Sequence, residues 1–466
     1  MNAPGSHRGQ TETKKSIVCK FGGSSVANAI QIEKVRAIVS RNDRRRFVVV
    51  SAPGKSQKGE AKVTDHLLNI ATGGQHFQEQ RTTVSPSDSS KAVVDKFSGI
   101  IRDLALDGAD IIDALKQDLE TDLTGDKRIA FLASRGEHYN ARIIAGYFRK
   151  SGMDATARLP EEFGLLVAGD YLHATVADEA YDNIAALAGT DSLIVMPGFY
   201  GVRADGDIAV FSRGGSDLTG GEIAYGIDAD TYENWTDVSG VLETDPRIIP
   251  EARAIPRLTF KEIRLLSSKG VNVFHLDAML KCRKRKIPIH IRNTNSPDEP
   301  GTVILNERVP EEGVVGIARL DSIAYIFLQK DALSAELGFM AELLGIFREF
   351  GINTYHYPTD KDDIAVLVDQ DDLKGTINEL RRAIDRRLQP DRMDVVYNQS
   401  IITPVGLGLK NNSYPIVEAI NALGAAHIPI EMIDQSPSKI CFHISVSQAV
   451  ADDALRILYK ALILGE

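Results

Sequence analysis

The stretch Lys20-Phe21-Gly22-Gly23-Ser24-Ser25 decides the fold of this chain. It follows the apolar run Ile17 to Cys19 and precedes apolar residues at helical spacing in 26–39, so the pattern predicts a strand, a glycine turn and a helix. Such a turn can bind phosphate, because glycines let backbone N–H groups converge on an anion and a helix N-terminus favours negative charge. Lys20 would add a full positive charge. An ordinary strand-to-helix turn is the alternative, since short glycine patterns are common.

Length and composition limit the class of protein. The chain has 466 residues, 43% of them hydrophobic, which is enough for two or three domains. Its net charge of −10 does not suggest a nucleic-acid partner. The three cysteines are too few for a disulfide framework and lack metal-ligand spacing, so we expect a cytoplasmic protein. No apolar stretch approaches the roughly 20 residues of a membrane span, and the polar residues 1–15 are expected to form a disordered tail.

Strand and helix patterns alternate over residues 16–305. The runs at 47–51 and 192–196 are apolar without alternation, as in parallel strands covered on both faces. We expect helices at 64–70, 91–118 and 126–150 and a loop at 75–90. The pattern therefore predicts an α/β fold, an α/β/α sandwich with a mostly parallel sheet. A second glycine turn, at 213–217, is expected on another strand of the same sheet, where ligands bind at the carboxyl ends of strands.

The chain beyond Pro300 contains an internal repeat. When Ile352 is aligned with Ile428, apolar helix and strand positions match without a gap. The matched positions are Met340, Leu344, Phe347, Ile364, Val366 and Val368 with Ile416, Ile420, Leu423, Ile440, Phe442 and Ile444. Each copy predicts a strand, a helix, two strands and a helix, so we expect two small α+β modules. A chance coincidence of helix and strand periods is the alternative.

The charged residues near the glycine turns fit the transfer of a phosphoryl group to a carboxylate. Because the acceptor is already an anion, the reaction needs no general base, and the protein must hold two anions in line and neutralise the developing charge. Lys20 would contact phosphoryl oxygens, and Arg213 could bind a carboxylate through two hydrogen bonds. Glu137 could hold a substrate ammonium. An ordinary ion pair between Glu137 and Arg213 remains the alternative.

Four motifs resemble, in the same order, the signatures of aspartate kinases. They are KFGGSS at 20–25, SRGE at 134–137, SRGGSD at 212–217 and WTDVSGVLETDPR at 235–247. The C-terminal modules resemble the tandem ACT domains of that family. The resemblance implies an amino-acid-kinase catalytic domain at 16–305, followed by ferredoxin-like ACT domains at 314–397 and 400–466.

The resemblance also implies a reaction. The γ-phosphoryl group of MgATP would be transferred to the β-carboxylate of L-aspartate, giving 4-phospho-L-aspartate and ADP. This is the first step of the aspartate-family pathway that leads to lysine and threonine, and the ACT domains would provide allosteric control. The alternatives are a kinase of another small carboxylate and a kinase-derived amino-acid sensor with little catalysis.

The resemblance assigns roles to individual residues. Lys20 would stabilise the transferring phosphoryl group, and Asp217 would orient Lys20. The residues expected to bind aspartate are Ser51, Thr64, Glu137 and Arg213. Those expected to line the ATP site are Gly22, Gly23, Ser24, Gly214, Gly215, Thr236, Asp237, Asp245 and Arg247. No protein side chain is expected to bind a metal, and Mg²⁺ would enter as MgATP.

The chain departs from the family pattern near the expected nucleotide site. Asn272 and His275-Leu276 stand where the family usually has a lysine and a His-Pro pair, and Leu242 replaces a frequent tyrosine. One hypothesis is that a basic loop compensates for the missing lysine on the phosphate side. The residues of that loop are Lys55, Lys58 and Lys62.

The ACT modules are expected to pair edge to edge in a homodimer and to bind an amino-acid effector at that interface. Segment 352–357 lacks the aspartate that lysine-sensitive relatives offer to an effector ammonium, so lysine inhibition does not follow from the resemblance. The sequence GLGLKNN at 406–412 resembles the effector-binding loop, and Met432-Ile433-Asp434 resembles the facing strand. The candidate effector contacts are therefore Asn411, Asn412, Met432 and Ile433.

Overall fold

The computed structural model describes residues 15–57, 59–79, 83–212, 214–267, 276–310 and 313–466, with only the backbone at 276–279. All but the last residue of the expected N-terminal tail lies outside this range. The chain forms two compact units. The first comprises the described residues within Met1–Val241, Pro256–Phe260 and Val273–Glu307, and the second those within Leu242–Ile255, Lys261–Asn272 and Arg308–Glu466. No helix in the described part of the chain is long and apolar enough to span a bilayer.

The chain up to Leu305 alternates between strands and helices. The elements are β1 (Ile17–Phe21), α1 (Ala29–Ser40), β2 (Arg45–Val50), α2 (Val63–Ala71), α3 (Gln75–Glu79), α4 (Pro86–Asp103), α5 (Ala109–Leu119), α6 (Gly125–Lys150), β3 (Ala155–Ala157), α7 (Pro160–Phe163), β4 (Leu166–Asp170), β5 (His173–Val176), α8 (Ala180–Ala186), β6 (Leu193–Pro197), β7 (Tyr200–Arg203), β8 (Ile208–Val210), α9 (Gly215–Gly226), β9 (Thr231–Thr236), β10 (Arg257–Thr259), α10 (Phe260–Leu266), α11 (Leu276–Lys284), β11 (Ile289–Asn293) and β12 (Thr302–Leu305).

The first unit is built on an eight-stranded sheet in the order β10-β12-β11-β9-β1-β2-β6-β3. All neighbouring pairs are parallel except β11 with β12, which are antiparallel. One face of β1 packs into an apolar cluster with α1, α4 and α6, and α9 covers the other face. All five residues of β1 are buried, because a central strand covered on both faces has no solvent side. The expected sandwich with a mostly parallel sheet is confirmed.

The prediction of a single helix at 91–118 is wrong, because this region forms two helices. The helix α4 ends at Asp103 and α5 begins at Ala109, and between them Ala105 adopts a left-handed conformation with φ 51°. The loop expected at 75–90 contains α3 and the start of α4. There the Ser85 side chain accepts a hydrogen bond from the backbone N–H of Asp88, and Pro86 occupies the first helical position.

The two glycine turns also differ from expectation. The first leads into a single 3₁₀ turn, Gly23–Val26, and α1 begins only at Ala29, capped by the side chain of Asn28. The second follows β8, which belongs to a separate four-stranded sheet in the order β5-β4-β7-β8 and not to the main sheet. The strands β7 and β8 pair as antiparallel neighbours and form a hairpin around Gly206. The small sheet carries no strong periodicity in its short strands, and the sequence analysis missed it.

The second unit has one antiparallel sheet with helices on one face. Its elements are β13 (Gly316–Gln329), α12 (Phe339–Glu349), β14 (Thr354–His356), β15 (Asp363–Asp369), α13 (Ile377–Leu388), β16 (Arg392–Val405), α14 (Tyr414–Ala425), β17 (Met432–Gln435), β18 (Phe442–Ser447) and α15 (Ala451–Tyr459). The order is β14-β15-β13-β16-β18-β17. Each sequence repeat has the strand, helix, two strands and helix that its pattern predicts.

The two modules share their long strands. Residues 316–320 of β13 pair with 401–405 of β16, and the register shifts before residues 323–329 pair with 392–399. Ser322 and Asn398, both with positive φ, lie at this shift. The first part of β13 thus pairs with the part of β16 that belongs to the second module. The domain boundary predicted between 397 and 400 falls within β16. Two stretches of the predicted catalytic domain, within 242–255 and 261–272, group with the second unit.

Candidate active site

A cleft with two lobes lies in the first unit. The smaller lobe has a volume of about 190 Å³ and is lined by Lys20, Ser51, Thr64, Glu137, Phe199, Gly214, Gly215, Ser216 and Asp217. The larger lobe has a volume of about 530 Å³ and is lined by Gly22, Gly23, Ser24, Ser51, Ala52, Pro53, Gly54, Lys55, Lys62, Thr64, Glu137, Thr236 and Asp237. Because Ser51, Thr64 and Glu137 line both lobes, the lobes form one continuous cleft.

Lys20 and Asp217 form a buried ion pair in the smaller lobe. The Lys20 Nζ atom lies 2.6 Å from Asp217 Oδ1, and the two side chains are only 10% and 14% exposed. Asn234 on β9 donates a hydrogen bond to the same oxygen at 2.8 Å. The carboxylate also lies in the first turn of α9, where negative charge is favoured. These contacts hold the Lys20 ammonium in place, and the Asp217 carboxylate acts as its partner.

Glu137 places a buried carboxyl group between the two lobes. It lies in the middle of α6, and the residue is 5% exposed. Burial raises the pKa of Glu137 to about 8, although hydrogen bonds from the backbone of Ala52 and of Glu137 and the charge of Lys20 act in the opposite direction. Its Oε2 atom has no hydrogen-bond partner among the described residues. A cationic group entering the cleft would satisfy this oxygen and restore the ionised form.

The glycine in the middle of α6 is explained by close packing. A Cβ atom on Gly136 would lie 2.6 Å from the Cβ atom of Ala52 and 3.4 Å from Leu67 Cδ1. The helix can therefore approach the loop after β2 closely. This approach lets the backbone of Ala52 reach the carboxyl group of Glu137.

The loop after β1 packs directly against the loop after β2. Gly54 N–H donates a hydrogen bond to the carbonyl oxygen of Gly23 at 2.9 Å, and Gly22 N–H donates to that of Trp235 at 3.0 Å. A Cβ atom on Gly54 would lie 2.6 Å from the carbonyl carbon of Gly23. Trp235 itself is buried and stacks on Phe21 with ring centroids 5.9 Å apart, as expected of a core residue. The floor of the larger lobe is thus a rigid backbone surface with room for an anion.

The N-terminus of α9 lines the smaller lobe. Gly214 precedes the helix in the left-handed conformation with φ 76°. A Cβ atom on Gly215 would lie 2.6 Å from the Phe199 ring, and one on Gly198 would lie 2.7 Å from Ser216. The helix end is therefore fixed by contacts that leave no space for larger residues. Its first backbone N–H groups lack intrahelical partners and favour an anionic ligand.

Most of the predicted site residues come together in this cleft. The exceptions are Arg213, which lies outside the described residues, and Asp245 and Arg247, which belong to the second unit and pair with each other at 2.6 Å. Ser216, Phe199, Pro53 and Gly54 also line the cleft and were missed. Two of these had a signal in the sequence, because Ser216 lies inside the second glycine turn and Gly54 follows a parallel strand. The assigned role of each residue stays a prediction.

The departures from the family pattern are only partly described by the structure. Lys58, Asn272 and His275 lie outside the described residues, and only the backbone of Leu276 is described. Leu242 forms an isolated antiparallel bridge with Ala254 in the second unit. Lys55 and Lys62 are exposed side chains at the larger lobe. Two of the three lysines in the compensation hypothesis, Lys55 and Lys62, therefore lie beside the cleft.

Two family models match the chain. Residues 15–293 match the amino acid kinase family, and residues 402–462 match the ACT domain.

Similar proteins match over almost the whole chain. Aspartokinase 3 of Bacillus subtilis is 36% identical over 455 residues, which cover 96% of this chain and 99% of the relative. The crystal structure of Clostridium acetobutylicum aspartate kinase superposes with a TM-score of 0.85 at 30% identity, covering 96% of this chain and all of that one. Escherichia coli aspartokinase III, solved in complex with lysine and aspartate, has a TM-score of 0.72 at 21% identity over 96% of this chain and 99% of that one, and so shares the fold.

Proposed function

Because this chain belongs to the aspartokinases of the amino acid kinase family, we propose that it transfers the γ-phosphoryl group of ATP to the β-carboxylate of L-aspartate. The observation that carries the proposal is the pairing of opposite charges in one small lobe. Lys20 offers an ammonium group, and Glu137 offers a carboxyl oxygen without a described partner. A substrate with both an ammonium and carboxylates fits this arrangement, since each charge meets its opposite.

Aspartate would bind in the smaller lobe. Its ammonium would contact Glu137, and its carboxylates would be drawn to the positive end of α9 and to Lys20. Ser51 and Thr64 line the same lobe and can donate hydrogen bonds to carboxylate oxygens. Arg213 keeps the carboxylate-binding role that the family resemblance assigns to it.

The nucleotide would bind in the larger lobe, with its phosphates over Gly22, Gly23 and Ser24. The side-chain carboxylate of aspartate would then attack the γ-phosphorus, and the bond to the bridging oxygen would break as ADP leaves with its electron pair. Lys20 neutralises the charge on the phosphoryl oxygens during this transfer. Asp217 keeps Lys20 in position and takes no proton, because the attacking group is already ionised.

Mg²⁺ would enter with the nucleotide and neutralise phosphate charge. Such ions are usually held by phosphate oxygens, water and one or two carboxylates. In the described lining of the larger lobe the carboxylates are those of Glu137 and Asp237, and Asp237 accepts a hydrogen bond from Thr236 Oγ1 at 3.1 Å. The site is therefore compatible with a metal bound mainly through the substrate.

Substrate selectivity tests the proposal. ADP release would be measured with MgATP and L-aspartate, D-aspartate, L-glutamate or succinate. We expect turnover with L-aspartate and little with succinate, because succinate has no ammonium for Glu137. Equal turnover with succinate would favour a kinase of another carboxylate, and no turnover with any of them would favour the sensor alternative.

The contact between the two glycine loops leads to a prediction about ATP. Gly54→Ala should raise the KM for ATP about tenfold or more, since its Cβ atom would push on the backbone of Gly23 and not on a flexible side chain. The matched control is Gly345→Ala in α12, where a Cβ atom would meet nothing within 4 Å. Steady-state kinetics would check both variants. An unchanged KM in Gly54→Ala would mean that the loops can move apart freely.

The two lysines beside the larger lobe lead to a second prediction. The double variant Lys55→Ala/Lys62→Ala should raise the KM for ATP about tenfold, or about 1.4 kcal/mol of binding, with little change in kcat. The control is Lys91→Ala/Lys361→Ala, which removes two exposed charges outside the cleft. A normal KM that persists when Lys58→Ala is added to the first variant would refute the compensation hypothesis.

We also propose that the chain forms a homodimer through its ACT modules and binds an amino-acid effector there. The described sheet of the second unit ends in β14 on one side and β17 on the other, so both edge strands can accept another chain. Met432 and Ile433 lie on β17, and Asn411 and Asn412 are exposed before α14. The structure of Escherichia coli aspartokinase III was solved with bound lysine, an amino acid of the class that we propose as the effector here. A cytoplasmic location remains a prediction.

A further inference from the structure

The second unit contains a small cavity that the kinase reaction does not use. It has a volume of about 200 Å³ and lies on the sheet face opposite α12, α13, α14 and α15. Its apolar wall is formed by Leu320, Ile401, Met432 and Leu265, which come from β13, β16, β17 and α10. An apolar cavity of roughly 150 Å³ already accommodates a molecule of the size of benzene. The space therefore fits a ligand of about six to nine heavy atoms.

Two histidines form the polar side of the cavity. The rings of His356 and His443 lie 5.2 Å apart. His443 Nδ1 is 2.9 Å from the Thr403 hydroxyl, and His356 Nε2 is 2.9 Å from Asp434 Oδ2. Burial and the neighbouring His356 lower the pKa of His443 to about 4, although Asp434 opposes this shift. At neutral pH the inner imidazole is therefore uncharged and can exchange hydrogen bonds with a ligand.

The charge of the lining points to an anion. Arg264 of α10 lines the cavity as an exposed side chain, and no described residue forms an ion pair with its guanidinium. No aspartate or glutamate is found among the described residues that line the cavity. An ammonium group would thus meet no carboxylate in the lining, whereas a carboxylate could bind Arg264 and the imidazoles.

We propose that this cavity binds a small apolar monocarboxylate, with its hydrocarbon part against Leu320, Ile401 and Met432 and its carboxylate towards Arg264. The ligand is held within one chain and needs no second subunit. The site is thus distinct from an effector site formed between subunits, although Met432 could contact both.

Direct binding to the full chain tests the proposal. Calorimetric titrations would use 4-methylvalerate, L-leucine and 3-methylbutan-1-ol, in the absence of ATP and aspartate. Because no catalysis is measured, failure here and failure of the proposed kinase reaction are separate results. We expect saturable binding of 4-methylvalerate at millimolar concentration or below, and no binding of the alcohol. L-Leucine should bind more weakly than 4-methylvalerate, because its ammonium would meet no carboxylate in the described lining, and tighter binding of L-leucine would count against the proposal.

Variants locate the binding in the cavity. Arg264→Gln should weaken the binding of 4-methylvalerate about tenfold, because it removes the charge that meets the carboxylate. Arg382→Gln, an exposed arginine on α13, removes the same charge elsewhere and should change nothing. Leu320→Phe should abolish binding by filling the space, with near-normal thermal unfolding as its control. No binding of the acid, equal binding of the alcohol, or unchanged affinity in Arg264→Gln would overturn the proposal.

Discussion

Replacement of Lys20 by methionine is expected to lower kcat about 10³-fold, because it removes the positive charge that stabilises the transferring phosphoryl group. The ammonium is held in a buried lobe by Asp217 at 2.6 Å, so it is already oriented before the substrates arrive. A fixed charge in a site of low dielectric constant stabilises developing charge far more than a mobile one in water. Methionine is a flexible side chain slightly shorter than lysine, and it removes the charge together with the three N–H donors of the ammonium. Steady-state kinetics with MgATP and aspartate would measure the loss.

A paired variant separates catalysis from stability. Lys20→Met leaves the buried Asp217 carboxylate without its cation, which is costly. The double variant Lys20→Met/Asp217→Asn removes both charges and should unfold at a higher temperature than the single variant, while remaining equally inactive. If Lys20→Met kept kcat within tenfold of the wild type, phosphoryl stabilisation by Lys20 would be ruled out.

Replacement of Glu137 by glutamine is expected to raise the KM for aspartate about 100-fold with a smaller change in kcat. A hydrogen bond between a buried carboxylate and a charged partner contributes about 1.5–3 kcal/mol, and the amide of glutamine cannot balance the charge of an ammonium. The substitution should raise KM more than it lowers kcat, because the ammonium of aspartate binds to the protein but takes no part in the reaction of the side-chain carboxylate. A kinetic comparison with Glu379→Gln, an exposed position on α13, provides the control.

The raised pKa of Glu137 gives this prediction a pH dependence. With a pKa of about 8 the carboxyl group is mostly protonated in the empty site at pH 6–7. Binding an ammonium requires the ionised form, so the KM for aspartate should fall about tenfold per unit as pH rises towards 8 and then level off. The variant Glu137→Gln should lack this slope. A wild-type KM that does not change between pH 6 and 8 would contradict the assignment.

The same shift predicts how stability depends on pH. The folded protein holds the Glu137 proton more tightly than the unfolded chain does, since the pKa rises from an ordinary 4.5 to about 8. Ionisation therefore destabilises the empty protein progressively between about pH 4.5 and pH 8. Thermal unfolding without ligands should show Glu137→Gln gaining stability relative to the wild type over this range. At the same aspartate concentration, the ligand should stabilise the wild type more than the variant.

The layers of the first unit could be predicted because each strand and helix is specified by residues that are close together in the sequence. The apolar runs of β1, β2 and β6 and the glycine turns each specify their own element, and the internal repeat specifies the order of elements in both modules. The pairing of Asp217 with Lys20 was predicted from the resemblance of the motifs at 20–25 and 212–217 to those of aspartate kinases.

Features that depend on distant contacts were not predictable. The burial of Glu137 depends on close packing of α6 against Ala52, which the sequence indicates only through a glycine, Gly136, in the middle of the helix. The four-stranded sheet has strands of three to five residues, too short for a periodic signal. The strands β13 and β16 shift their pairing at Ser322 and Asn398, which both have positive φ. Asparagine favours this conformation but serine does not, and neither residue indicates in the sequence that the strand partner shifts.

The product of the reaction is the most direct test of the central claim. The purified chain would be incubated with MgATP, L-aspartate and hydroxylamine, which traps an acyl phosphate as a hydroxamate, and the hydroxamate would be identified by mass spectrometry. The account predicts aspartate β-hydroxamate in amounts equal to the ADP released, and about 10³-fold less of it from Lys20→Met in the same time. Release of ADP without hydroxamate, or a hydroxamate on the α-carboxylate, would contradict the proposed transfer to the side chain.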